Sequence, residues 1–217
     1  MGRPSELIGL SRVHFPVTTL GPGRRVGIWF QGCSIHCRGC VSLDTWEPVG
    51  ETGLVSTEVL IDWLASLDAP LVGGVTITGG EPFDQAVGLH RLLASIRDHA
   101  DLRDLDVLVY SGYPLSRLKR FHPSVLSLVD ALISGPYVAS RPTELPWRGS
   151  SNQRLTVLNI EATTKYAEAQ RTGAQLQVSA DGGQLWITGI PHGILLDELE
   201  ASLRARGVRI EEVSWRS

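Results

Sequence analysis

The chain has 217 residues, 42% of them hydrophobic and 20% charged, with a formal net charge of −3. These proportions suit a globular domain with a sizeable core, or such a domain with an appendage, and they offer no bulk-charge attraction for nucleic acid or an anionic membrane. No apolar run approaches the roughly 18–20 residues of a membrane span, and the N-terminus lacks the apolar stretch and small-residue site of a secretory leader, so a cytoplasmic protein is expected.

Arg25–Phe30 (RVGIWF) is predicted as a short buried strand, ending where a cysteine-rich loop begins. Ser56–Leu67 has apolar pairs at four-residue spacing and is predicted as an amphipathic helix capped by Ser56 or Thr57. Gly73–Thr78 is a β-branched strand running into a turn, Gly79–Pro82 (GGEP). Asp84–His99 is a second helix with Leu89, Leu92, Leu93 and Ile96 on one face. Asp106–Tyr110 is a strand followed by the turn Ser111–Tyr113. Leu115–Asp130 reads as helix broken at His122-Pro123, and Ala131–Ser134 as a strand entering Gly135–Tyr137.

Strands alternating with helices imply βαβ units, an α/β fold and a mostly parallel sheet. Ligands of such sheets sit beyond the carboxyl ends of the strands. The cysteine loop and the turns GGEP, SGY and GPY all follow strands, so they are expected along one rim. After about residue 155 the texture changes. Leu176–Pro191 is predicted as a hairpin turning at Asp181–Gly183, and Gly193–Gly207 as a helix ended by glycine. Residues 1–155 are therefore read as a core and 156–217 as a C-terminal extension, either an appendage or a continuation of the same fold.

All three cysteines, Cys33, Cys37 and Cys40, fall within one short loop. An odd, clustered set fits no disulfide framework. Soft sulfur donors select zinc, copper(I) or iron–sulfur clusters. A structural zinc usually takes four protein ligands. His36 is awkwardly placed beside Cys37, and His14, His90, His99, His122 and His192 lack zinc-motif spacing. A cubane cluster normally uses four cysteines, so three leave one iron open to a substrate or cofactor, which points to catalysis. Zinc and three free buried thiols are the alternatives.

C-x3-C-x2-C after the first predicted strand, followed by GGEP after a later one, resembles the radical S-adenosylmethionine (SAM) superfamily. The closer similarity is to the branch that activates anaerobic ribonucleotide reductase. It is carried, in order, by GPGRR (Gly21–Arg25), GCSIHCRGC (Gly32–Cys40), DTW (Asp44–Trp46), GGEP, SGY and WRGSSNQ (Trp147–Gln153). It spans roughly residues 15–155.

This resemblance implies a partial (β/α) barrel in which Cys33, Cys37 and Cys40 hold three irons of one [4Fe–4S] cluster. The fourth iron would chelate SAM, whose reductive cleavage gives a 5′-deoxyadenosyl radical that abstracts hydrogen. Gly79, Gly80 and Glu81 would receive the methionine amino group. Glycine permits close backbone approach, and a carboxylate accepts a charge-assisted bond from an ammonium. Gly39 and Val41, flanking Cys40, would face the adenine. Tyr110–Tyr113 and Ser134–Tyr137 would line the SAM pocket or simply form turns, and the polar WRGSSNQ segment suits a ligand or partner contact. Arg24 and Arg25 either meet a carboxylate or lie on the surface, and His36 is expected to face solvent.

The implied hydrogen source is a glycine of a glycyl-radical protein such as anaerobic ribonucleoside-triphosphate reductase, with flavodoxin or ferredoxin as electron donor. Because 156–217 continues past the usual end of such activases, a radical SAM enzyme acting on another protein, peptide or small molecule is the alternative. A non-catalytic metal-binding module is the alternative of another class.

Overall fold

A computed structural model describes residues 7–50, 53–68, 71–169, 176–181, 184–191 and 195–209. Its strands are β1 (Leu7–Val17), β2 (Arg25–Phe30), β3 (Leu54–Ser56), β4 (Gly74–Gly79), β5 (Asp106–Ser111), β6 (Ala131–Ser134), β7 (Arg154–Val157), β8 (Leu176–Asp181) and β9 (Gln184–Gly189). Its helices are α1 (Thr57–Ser66), α2 (Ala86–Asp98), α3 (Leu115–Phe121), α4 (Pro123–Leu126), α5 (Thr163–Ala169) and α6 (Leu195–Ala205).

Seven strands form one open sheet in the order β3-β1-β2-β4-β5-β6-β7. The central strands β2, β4, β5 and β6 run parallel, as the alternation of strands and helices requires. β1 and β3 continue the sheet antiparallel on one side, and β7 pairs antiparallel with β6 on the other. The sheet is therefore mostly parallel α/β and consistent with a partial, unclosed barrel. β2 is buried at every residue, as befits a central strand covered on both faces.

On one face, Ile28, Ile77, Val109 and Leu132 pack with Leu60, Leu64, Leu89, Leu92, Leu93 and Leu118 from α1, α2 and α3. On the other, Leu108, Ala131 and Ile133 meet Trp147 and Tyr166. Val17, Leu20 and Trp29 form a neighbouring cluster with Tyr110 and Ile190. Ser56 caps α1, its side chain accepting from the Glu58 amide at 3.2 Å. The second predicted helix opens as a 3₁₀ turn, Pro82–Gln85, so α2 proper begins at Ala86. The break at His122-Pro123 is real: α3 stops at Phe121 and Pro123 starts α4 at a position that needs no amide hydrogen.

The amino ends of the central strands are tied by one buried ion cluster. Arg25 is fully buried; its guanidinium donates to Thr76 Oγ1 (2.6 Å), to the carbonyls of Val75 (2.7 Å) and Asp106 (3.0 Å), and pairs with the Asp106 carboxylate at 2.5 Å. Tyr166 Oη donates to the same carboxylate at 3.1 Å. The GPGRR arginine thus meets a carboxylate, but at the opposite end of the sheet from the cysteine loop. Arg24 is exposed and lies over the Phe15 ring.

β8 and β9 form the expected hairpin as a separate two-stranded sheet, closed by the pair Asp181↔Gln184. Gly182 and Gly183 of its predicted turn, and Gly193 of the predicted helix, lie outside the described residues. The hairpin docks on β1 and the residues after it. Gln177 accepts from the Thr18 amide (2.9 Å) and donates to the Pro16 carbonyl (2.7 Å), and His14 stacks on Trp186 at 5.2 Å. α6 ends before Gly207, whose φ of +82° suits a glycine just beyond a helix. Among the described residues no helix is long and apolar enough to cross a membrane.

Candidate active site at the carboxyl rim of the sheet

The four parallel strands deliver their following turns to one rim, and backbone bonds stitch those turns together. Gly80 donates to the Phe30 carbonyl at 2.8 Å and Glu81 to the Gly32 carbonyl at 2.9 Å, joining GGEP to the cysteine loop. Gly135 donates to the carbonyls of Ser111 and Tyr113, joining GPY to SGY. The two glycines of GGEP are demanded by this approach. A Cβ on Gly79, where φ is +102°, would meet Phe30 backbone at 2.5 Å, and one on Gly80 would lie 2.0 Å from the Gly32 carbonyl oxygen. Glycine is needed there because the turn lies against the end of β2.

The DTW segment straps the amino-terminal end of the cysteine loop. Gly32 donates to the Thr45 carbonyl at 2.8 Å, and Cys33 to the Trp46 carbonyl at 2.9 Å. Thr45 is fully buried. Trp46 stacks flat on His36, with ring centroids 4.6 Å apart. His36 is exposed as expected, and its ring is held by this stack rather than left free.

Cys33, Cys37 and Cys40 are free thiols of intermediate exposure on this one loop. Burial pushes the Cys33 and Cys37 thiols up; backbone bonds oppose it, and the nearby Cys40 and Cys33 sulfurs add to the rise at Cys37. The Cys37 sulfur is thus within electrostatic reach of both others. Among the described residues no three His, Cys, Asp or Glu side chains converge as ligands of a single ion do. A cubane cluster asks for less convergence, because each cysteine binds a different iron. The donor set fits a cluster with three cysteine-bound irons.

Glu81 is 1% exposed and sits where three turns meet. Its Oε1 accepts from the Phe83 amide (3.0 Å) and Ser111 Oγ (2.9 Å), and its Oε2 from the Gly112 amide (2.7 Å). Burial pushes its carboxyl up to about 7 against the pull of these three donors. Gly39 has φ of +80° and lies under the loop after β6, where a Cβ would be 3.4 Å from Ala139 and 3.6 Å from Tyr137. The Val41 side chain is 37% exposed.

WRGSSNQ folds back over the end of β6. Gln153 Oε1 accepts from the Gly149 amide (2.8 Å), Asn152 donates to the Pro136 carbonyl (2.7 Å), and buried Ser150 accepts from the Val138 amide (3.1 Å). Within the described residues the segment's amides therefore serve first to shape the GPY loop. Tyr110 is half-buried, and among the described residues its buried hydroxyl has no hydrogen-bond partner.

A further polar group was not singled out by sequence. Asp84 accepts from the Ser34 amide and from Tyr113 Oη, both at 2.7 Å, and Ser34 Oγ lies 2.9 Å from the same hydroxyl. This braces the residue beside Cys33 against two strand ends. Its one sequence signal was position, two residues beyond GGEP.

A family described as "4Fe-4S single cluster domain" matches residues 19–156. The chain is similar to the anaerobic ribonucleoside-triphosphate reductase-activating protein of Enterobacteria phage T4, at 33% identity over 62% of this chain and 85% of that protein. The proteins of the same name from Salmonella typhi and Escherichia coli K12 are 32% and 30% identical, each over 64% of this chain and 93% of theirs. With its cysteine loop, its joined rim of turns and these matches, the chain belongs to the family of anaerobic ribonucleoside-triphosphate reductase-activating proteins, built on a 4Fe-4S single cluster domain.

Proposed function

We propose that this protein is a radical SAM enzyme of the glycyl-radical activating type, which removes hydrogen from a glycine of an anaerobic ribonucleoside-triphosphate reductase. One observation carries the reading: the three-cysteine loop and GGEP are hydrogen-bonded into one rim, with a buried carboxylate at their junction. When bound, a reduced [4Fe–4S] cluster and SAM supply one-electron cleavage to methionine and a 5′-deoxyadenosyl radical, which takes the hydrogen.

Cys33, Cys37 and Cys40 hold three of the irons and leave the fourth to SAM. Glu81 faces the methionine ammonium with the acceptor capacity its three donors leave on Oε2. An ammonium there stabilises the ionised carboxylate and offsets its burial. Gly79 and Gly80 hold this turn against the cysteine loop, which would keep Glu81 in a fixed place relative to the cluster ligands. Gly39 and Val41 frame the adenine, Gly39 by backbone and Val41 by its open side chain. The electron comes from a flavodoxin or ferredoxin, and the protein works in the cytoplasm. Residues 1–155 are the catalytic core and 156–217 an extension, which Gln177 and Trp186 hold against β1.

A second reading, hydrogen abstraction from another protein, peptide or small molecule, is favoured only by that extension, since the family match ends at residue 156. Anaerobic reconstitution, chemical reduction and SAM should yield 5′-deoxyadenosine, and added reductase should gain a glycyl radical by electron paramagnetic resonance. A cluster-loaded protein that forms no 5′-deoxyadenosine would end the proposal. Product formed without any radical on the reductase would favour the second reading.

A further inference from the structure

α3 (LSRLKRF) begins at the rim, directly after the SGY turn, and its outer face carries Arg117, Lys119 and Arg120, all exposed. The helix has no acidic residue, and among the described residues none of these cations is in an ion pair. The two arginines rest on aromatic rings instead: Arg117 lies 4.2 Å from the centre of the Tyr113 ring and Arg120 5.1 Å from that of Phe121. Phe121 is itself 60% exposed. An unneutralised basic patch ending beside an open aromatic ring, on a chain of net charge −3, has the composition of a protein-binding hot spot rather than of a solvated face.

The patch is also joined to the cysteine loop. Tyr113, under Arg117, meets Ser34 Oγ at 2.9 Å, and Ser34 follows Cys33. Leu118 anchors the same helix in the core on the helical face of the sheet. An electron can enter a cluster through intervening protein, whereas a hydrogen donor must touch the radical itself. A surface joined to the cysteine loop through Tyr113 and Ser34 suits the first partner better than the second.

We propose that the basic face of α3 is the docking surface for an acidic one-electron donor protein, with Phe121 at its carboxyl end and Tyr113–Ser34 as its contact to the cluster loop. This rests on the radical SAM reading given above. Opposite charge speeds such encounters and makes them salt-dependent.

The test uses full-length, cluster-loaded protein carrying Arg117→Glu, Lys119→Glu and Arg120→Glu, with reduced flavodoxin or dithionite as the electron source. The rate of 5′-deoxyadenosine formation with flavodoxin should fall about tenfold or more and lose its decline with rising salt. The rate with dithionite, the iron content, and the glycyl-radical yield under dithionite should match wild type. Phe121→Ala, a truncation outside the core, should lower the flavodoxin-driven rate alone and serves if the triple variant does not load. An unchanged flavodoxin-driven rate in a loaded variant would overturn the proposal. So would a loss of glycyl radical under dithionite with flavodoxin-driven cleavage intact, which would give the patch to the hydrogen-donating protein. A wild-type enzyme that makes no 5′-deoxyadenosine even with dithionite would instead remove the underlying reading.

Discussion

Glu81 carries the most consequential electrostatics of any single residue at the rim. Its carboxyl is pushed from 4.5 up to about 7 by burial. In this pH range the folded protein binds a proton that the unfolded chain has released, so stability falls as pH rises from about 4.5 to 7 and levels above. The shift corresponds to about 3 kcal/mol. Urea unfolding at several pH values should show this decline in the cofactor-free protein and its absence in Glu81→Gln. SAM affinity should move the other way, rising from pH 6 to 8 in the wild type and staying flat in Glu81→Gln, because an ammonium favours the ionised form. Asp84 works differently, as an anion held by the Ser34 amide and Tyr113 Oη. Asp84→Asn removes a negative charge near Cys33, so spectroelectrochemical titration should find the cluster easier to reduce. An unchanged potential would leave Asp84 as a brace only.

At the level of elements, the parallel strands are tied at both ends by unlike means. The carboxyl ends are joined by turns through backbone bonds and Glu81. The amino ends of β2, β4 and β5 are joined by Arg25, buried with Asp106 and Thr76. Arg25→Met leaves Asp106 buried without its guanidinium, with Tyr166 and the more distant Lys165 still near it. Breaking such a pair costs about 3–5 kcal/mol. The variant should unfold at markedly lower denaturant concentration, while any folded fraction still loads iron as wild type does. Loss of cluster binding in folded variant would show that the two ends of the sheet are coupled.

The whole molecule is a sheet covered on both faces, by helices on one and by α5, Trp147 and the hairpin on the other. Truncation after Ala169 removes β8, β9 and Ile190 and uncovers Val17, Leu20 and Trp29. The shortened protein should bind a hydrophobic dye more strongly and melt earlier, yet form 5′-deoxyadenosine with dithionite, since no residue proposed to hold the cluster or SAM is removed. The parallel strands, α1, the helix break at Pro123 and the hairpin were legible in sequence because each rests on local periodicity or turn chemistry. β1, β7 and α5 were not. β1 (LIGLSRVHFPV) is only partly buried over most of its length, so it carries no sustained apolar pattern, and its place is set by pairing with β2 and β3.

Sequence alone determined the chemistry of the donors: three thiols on one loop, a glycine-rich acidic turn, and strands whose order brings their ends together. Those follow from residue type and short-range spacing, which need no partner to be read. Tertiary structure decided which residues meet. Arg25 proved to be a buried strut far from the rim, the GGEP glycines proved to be required by the end of β2, and Asp84 proved to brace the residue beside Cys33. Each depends on segments some 50–80 positions apart in the chain, and packing alone brings such segments within hydrogen-bonding distance.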